Sequence, residues 1–178
     1  SYQNALISEY RLLPWESDAL GDCPENDRKV DILVALDEFA NESPVAQLLL
    51  DVLSAPAEYD LARIEAAKII GIYVHEQCPL CQPLRQQVWH VFANGDDDTL
   101  VRQHASQRIE VGFGGDDEQQ IVERILFDDA EDESVRHGAF NYLKTTPDRD
   151  FAKRLCQRLR NDSYWRRFEN AISDIENI

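Results

Sequence analysis

The sequence predicts an all-α fold in which about four antiparallel helix pairs stack on one another as an α-solenoid. Three observations carry this expectation. A short pattern recurs along the chain: an acidic or polar turn, an apolar residue followed by Arg, and a small residue three positions later. A second amphipathic stretch precedes each recurrence, so the repeating unit is helix, acidic turn, helix. Valine and isoleucine fall at helical rather than alternating spacing, and no segment reads as a strand.

Residues 1–26 carry Pro14, Gly21 and Pro24 and predict a short helix followed by a packed loop. Val30 to Phe39 predicts a helix that caps the first pair. Residues 1–43 thus read as an N-terminal capping segment and 44–178 as repeats, within one domain of 178 residues. The first helices of the pairs are expected at Val45 to Leu53, Leu84 to Phe92, Ile121 to Phe127 and Phe151 to Leu159. The second helices open at Tyr59-Asp-Leu-Ala-Arg63-Ile-Glu-Ala66, Asp98-Thr-Leu-Val-Arg102-Gln-His-Ala105 and Asp132-Glu-Ser-Val-Arg136-His-Gly-Ala139. A fourth opening, Asp162-Ser-Tyr-Trp-Arg166-Arg-Phe-Glu169, lacks the small residue. The Arg positions are 39, 34 and 30 residues apart, which places turns near 55–60, 95–99, 128–133 and 160–163. Asp or Ser ahead of each stripe is a good N-cap. No pair can bury both of its apolar faces alone, so each relies on its neighbours.

The signature Asp-x-x-x-Arg-x-x-Ala, with an apolar residue before the Arg, resembles HEAT repeats and their armadillo-like relatives over roughly residues 44–176. The resemblance implies a right-handed solenoid whose second helices line a concave face. It also implies a ladder of Asp and Arg between units, with Arg63, Arg102, Arg136 and Arg166 as cations and Asp98, Asp132 and Asp162 as acids. The first unit departs from the pattern, with Tyr59 where the acid is expected. Some HEAT-like proteins are alkylpurine DNA glycosylases and others are bilin lyases, so the fold alone does not name a function.

Charge narrows the field. The formal net charge is −16. From Asp96 to Glu133 there are 13 acidic residues against 3 Arg, whereas from Lys144 to Arg167 there are 8 basic residues against 3 Asp. The middle of the chain should repel phosphate and steer toward a basic partner, which argues against nucleic acid. No apolar run approaches the roughly 18 residues of a membrane span. The opening residues lack the basic-then-apolar order of a signal peptide, and four Cys in an ordinary chain fit a reducing cytosol, so a cytoplasmic protein is expected.

No catalytic, metal or cofactor set emerges. Cys78-Pro-Leu-Cys81, with His75 upstream, is half of a zinc site without a clear fourth ligand, and Cys23, His90 and His104 are the distant candidates. As a redox dithiol it lacks βαβ context, and it reads best as two small residues packing a turn. Gly112-Phe-Gly-Gly115 reads as a helix C-cap rather than a phosphate loop. No nucleophile elbow or calcium loop is present. The expected function is protein binding without catalysis, by an immunity or inhibitor protein that neutralises a basic toxin or nuclease, with a general adaptor or scaffold as the alternative. Its binding edge would comprise Asp96, Asp97, Asp98, Asp128, Asp129, Glu131, Asp132 and Glu133. If the concave face is used instead, Gln103, His104, Asn141 and Tyr142 are the candidates.

Overall fold

Helix-forming stripes separated by short polar turns give the chain its architecture. The computed structural model describes residues 1–15 and 23–178; Gly21, with its part of the expected loop, lies outside them. The described residues form ten α-helices and no strand: α1 (Tyr2–Leu12), α2 (Pro24–Leu36), α3 (Ser43–Leu53), α4 (Asp60–Tyr73), α5 (Cys81–Ala93), α6 (Thr99–Ser106), α7 (Glu118–Leu126), α8 (Glu133–Thr145), α9 (Arg149–Arg160) and α10 (Glu169–Glu176). Short 3-10 turns continue α2 at Asp37–Phe39 and precede α10 at Trp165–Phe168.

Local chemistry sets the starts. Proline in the first turn opens α2 and α3, where its missing N–H costs nothing. Side chains of Ser1, Asp98, Asp132 and Asp148 cap α1, α6, α8 and α9. Each helix packs on near neighbours. α1 meets α2 and α3, α3 meets α4 and α5, and α5 meets α6. α2, α4, α6 and α8 touch in succession, while α7 packs on α8 and α9 on α10. Residues 1–43 therefore contribute a helix pair of their own. Two continuous apolar clusters fill the interior, one from Leu6 to Ala105 and one from Trp89 to Ile175, and Ile109 packs against both. The small residue of the repeated pattern is fully buried in each complete instance, at Ala66, Ala105 and Ala139. Beside it, a Cβ at Gly138 would fall 2.4 Å from the Ser106 Cβ, so glycine permits the close approach of α8 to α6.

The same clasp recurs between successive units. The Arg63 guanidinium donates to both carboxylate oxygens of Asp97, at 2.6 and 2.9 Å, and to the Leu53 carbonyl that ends α3. The Arg102 guanidinium donates to both oxygens of Glu131, at 2.7 and 2.9 Å, and to the Phe92 carbonyl near the end of α5. Lys29 donates to Glu58 at 2.5 Å, and Tyr10 donates to the same carboxylate at 3.0 Å. Each acid also accepts the N–H of the residue after it, at 2.7 Å for Glu58, 2.7 Å for Asp97 and 3.0 Å for Glu131. The expected ladder acids are thereby corrected: the acids stand one residue before Asp98 and Asp132, which are occupied as caps. Tyr59 marks no departure, because Glu58 precedes it. Asp162 is likewise a cap, accepting from the Tyr164 and Trp165 N–H groups. The residue before it is Asn161, so Arg136 meets no ladder acid there. Arg136 instead binds the Leu126 carbonyl, stacks 4.2 Å over Tyr164 and reaches only the exposed Asp129, at 3.9 Å.

Ions this buried are held by geometry rather than by bare attraction. Side-chain exposures in the three clasps are 0% and 0%, 1% and 5%, and 4% and 8%. Removing one partner strands the other charge in the interior, at a cost of about 3–5 kcal/mol. Glu131→Ala is expected to lower unfolding stability by that amount in a urea titration, while Arg28→Ala, which breaks the exposed Arg28–Glu9 pair, leaves the midpoint nearly unchanged. The Arg102 hydrogen bond holds the Glu131 carboxyl below its ordinary 4.5 despite burial. At Asp97 burial pushes upward, but Arg63 and the Asp98 N–H outweigh it and leave the carboxyl below 3.8. Folded-state values below the unfolded ones mean that this stabilisation is complete above the ordinary values and is lost as pH falls through the lowered ones. Acid unfolding followed by circular dichroism should therefore steepen below about pH 4, and less so in Glu131→Ala.

Candidate functional site

Two turns form the candidate edge, residues 94–98 between α5 and α6 and residues 127–132 between α7 and α8. Arg102 joins them, since one guanidinium holds the Phe92 carbonyl beside the first turn and Glu131 in the second. Within this frame the eight expected carboxylates separate into three kinds. Asp97 and Glu131 are drawn inward by Arg63 and Arg102 and are not available to a partner. Asp98 accepts from the Val101 N–H at 3.0 Å, and Asp132 accepts from the Ser134 and Val135 N–H groups at 2.9 and 3.1 Å. Asp132 also takes the Gln103 amide at 3.0 Å, a second link between α6 and α8. Asp96, Asp128, Asp129 and Glu133 are the exposed remainder. Asp128 accepts only the Ala130 N–H at 2.9 Å, and Asp129 is 82% exposed.

The starts of α4 and α6 also carry exposed apolar residues that the sequence pattern did not single out. Leu61 and Leu100 stand two residues before Arg63 and Arg102 in equivalent positions, and they are 45% and 40% exposed. An apolar residue in the first turn of each second helix was the available signal, but helix periodicity alone does not say which face is covered.

On the expected concave alternative the residues diverge. Tyr142 is buried, and its hydroxyl donates to Glu118 at 2.5 Å, so it is a core residue rather than a contact residue. Gln103 is committed to Asp132, and His104 is partly buried, with burial lowering its pKa. Asn141 is exposed in a shallow depression of about 280 Å³ with Gln107, Glu133, Ser134 and His137. The ring Nε2 of His137 lies 2.8 Å from the Tyr164 hydroxyl, and burial holds its pKa down.

Half of the basic residues of the 144–167 stretch are engaged in holding α9. Arg149 donates to the carbonyls of Leu143, Thr146 and Ile175, and Arg160 binds Glu176. Arg154 and Arg158 both bind Glu123 on α7. Gly112 and Gly115 do not cap a helix as expected. α6 ends at Ser106, and both glycines sit in the 107–117 loop at φ of 97° and 77°. That loop is pinned by Glu118, which accepts from the Gly112 and Gly114 N–H groups at 2.8 Å each. Cys78 and Cys81 are buried, His75 is exposed, and among the described residues no three His, Cys, Asp or Glu side chains converge as metal ligands would.

The chain matches no family model, and no curated protein and no solved structure is significantly similar to it. The division of the edge into caps and exposed carboxylates has a measurable consequence. Asp98→Ala and Asp132→Ala should each cost about 1 kcal/mol of stability through loss of the cap. Asp96→Ala should stay within about 0.5 kcal/mol of the parent. Thermal unfolding of the three variants tests this, and equal losses would contradict it.

Proposed function

We propose that this chain is a non-enzymatic, acidic protein-binding module on a right-handed α-solenoid of HEAT-like helix pairs. In this reading its exposed turn carboxylates take a basic protein, in the manner of an immunity or inhibitor protein that masks a cationic toxin or nuclease. The solenoid reading is supported by one clasp recurring at three successive junctions, from a second helix to the following turn. The binding reading is carried by one observation: after the clasps and caps have taken their share, Asp96, Asp128, Asp129 and Glu133 remain exposed on turns that Arg102 holds together.

Crowded exposed carboxylates repel one another, and a basic surface relieves that repulsion. Individual surface pairs contribute about 0–1 kcal/mol, so such an edge acts mainly through association rate and exclusion of wrong partners. Leu100, exposed two residues after Asp98, offers the apolar contact that charge alone lacks. Co-purification with the tagged chain from its native cells at low salt should recover one basic protein in constant ratio. Asp96→Lys combined with Asp128→Lys should weaken its binding at least tenfold in a titration, with unchanged helicity by circular dichroism. Unchanged affinity at both low and moderate salt would sink the proposed edge, and recovery of many proteins of mixed charge would favour a general scaffold.

A further inference from the structure

The clasps and the acidic edge leave Cys78-Pro-Leu-Cys81 unused. We infer that Cys78 and Cys81 are a modification site: a dithiol that a low-molecular-weight disulfide converts into an intramolecular Cys78–Cys81 disulfide.

Backbone geometry comes first. The Cys81 N–H donates to the Cys78 carbonyl at 3.0 Å and closes a four-residue turn. A turn of this kind holds its end Cα atoms within about 7 Å, and a disulfide spans about 4.4–6.8 Å between Cα atoms. The turn therefore holds the pair close to the span that a disulfide bridges. Access comes second. Both cysteines line one depression of about 560 Å³ between the start of α5 and the loop after α6, with Glu76, Arg85, Glu110 and Phe113 around it. Electrostatics comes third. Cys81 is the first residue of the 13-residue α5, whose N-cap residue Leu80 supplies no side-chain cap, and a helix N-terminus favours a thiolate. Arg85, one turn further on, adds positive charge, which Glu110 partly offsets from 3.3 Å. Desolvation works against it and raises the Cys81 thiol, with Cys78, Glu110 and Glu76 adding to that rise and Arg85 opposing it. The dithiol is thus slow at neutral pH and quickens as pH rises.

In the reaction, the Cys81 thiol loses its proton and attacks the small disulfide, forming a mixed disulfide and releasing one small thiolate. Cys78 then loses its proton and attacks the Cys81 sulfur, expelling the second small thiolate. Two protein S–H bonds are replaced by one S–S bond, and the two electrons reduce the small disulfide to two thiols. The closed loop is only four residues long, so the bond constrains the α4–α5 connection locally and changes global stability little.

The experiment equilibrates the full chain with glutathione at graded ratios of oxidised to reduced form, quenches with N-ethylmaleimide and reads intact and peptide masses. The expected result is loss of the Cys78 and Cys81 alkylation sites together, with no glutathione retained on the peptide that carries them. The lone, partly exposed Cys23 is read separately, and Cys156, fully buried and with its thiol pushed up to about 11, stays alkylatable only after unfolding. Cys78→Ser should trap a glutathione adduct at Cys81. Independent titration of the two sites in the wild-type chain would overturn the inference. So would joint loss seen only in urea, because the fold would then not present the pair.

Discussion

A cation in two of the second helices, α4 and α6, reaches two things at once, the carbonyl end of the helix before it and the carboxylate of the next turn. Arg63 and Arg102 do this with the same forked geometry, and Lys29 makes the corresponding bond to Glu58 from α2. The arrangement settles two problems of a stacked helical fold. Helix C-termini leave unpaired carbonyls, and the guanidinium takes one of them. Neighbouring pairs are otherwise joined only by apolar contact, which fixes distance better than register, and a bidentate ion pair fixes register as well. Burial makes the clasp costly to break from either side without making it a large net source of stability.

The clasp also decides what the surface can offer. Carboxylates are abundant in this chain, and the fold divides them by position. In the 94–98 and 127–132 turns the residue before the cap, Asp97 or Glu131, turns inward to an arginine, the cap binds helix N–H groups, and Asp96, Asp128 and Asp129 keep their charge in solvent. Much of the charge asymmetry visible along the chain is therefore internal chemistry. Asp97 and Glu131 are neutralised in place, and Arg149, Arg154, Arg158 and Arg160 are spent on tethering α9. The surface available to a partner is smaller than the sequence charge suggests, and the exposed Leu100 follows one of its turns.

At the C-terminal end the pattern gives way to aromatic packing. Asn161 occupies the acid position, and Arg136 stacks on Tyr164 while the Trp165 indole donates to the Leu126 carbonyl that Arg136 also holds. Trp165 is fully buried and stacks on Phe140 with centroids 5.0 Å apart. A polar junction is thus replaced by a cation–π and aromatic one, at a turn that supplies Asn161 in place of a carboxylate.

The sequence by itself determined the helical class, the turns and the key cations. Apolar spacing set the helices at Val45 to Leu53 and Ile121 to Phe127 within a few residues of their ends, and the resemblance to HEAT repeats pointed to Arg63, Arg102 and Arg136 as ladder cations. These are local or periodic properties, carried by one stretch of chain at a time. Which acid meets each cation was decided only by tertiary structure. Glu58, Asp97 and Glu131 lie 29, 34 and 29 residues from their partners. In the turns at 94–98 and 127–132 two adjacent acids compete for the roles of cap and clasp. A cap needs only its own helix, so Asp98 and Asp132 were legible as caps, whereas a clasp needs the neighbouring unit in place. The same reason hid the role of Glu118, the burial of Tyr142 and the lysine clasp of α2, all of which depend on what packs opposite them.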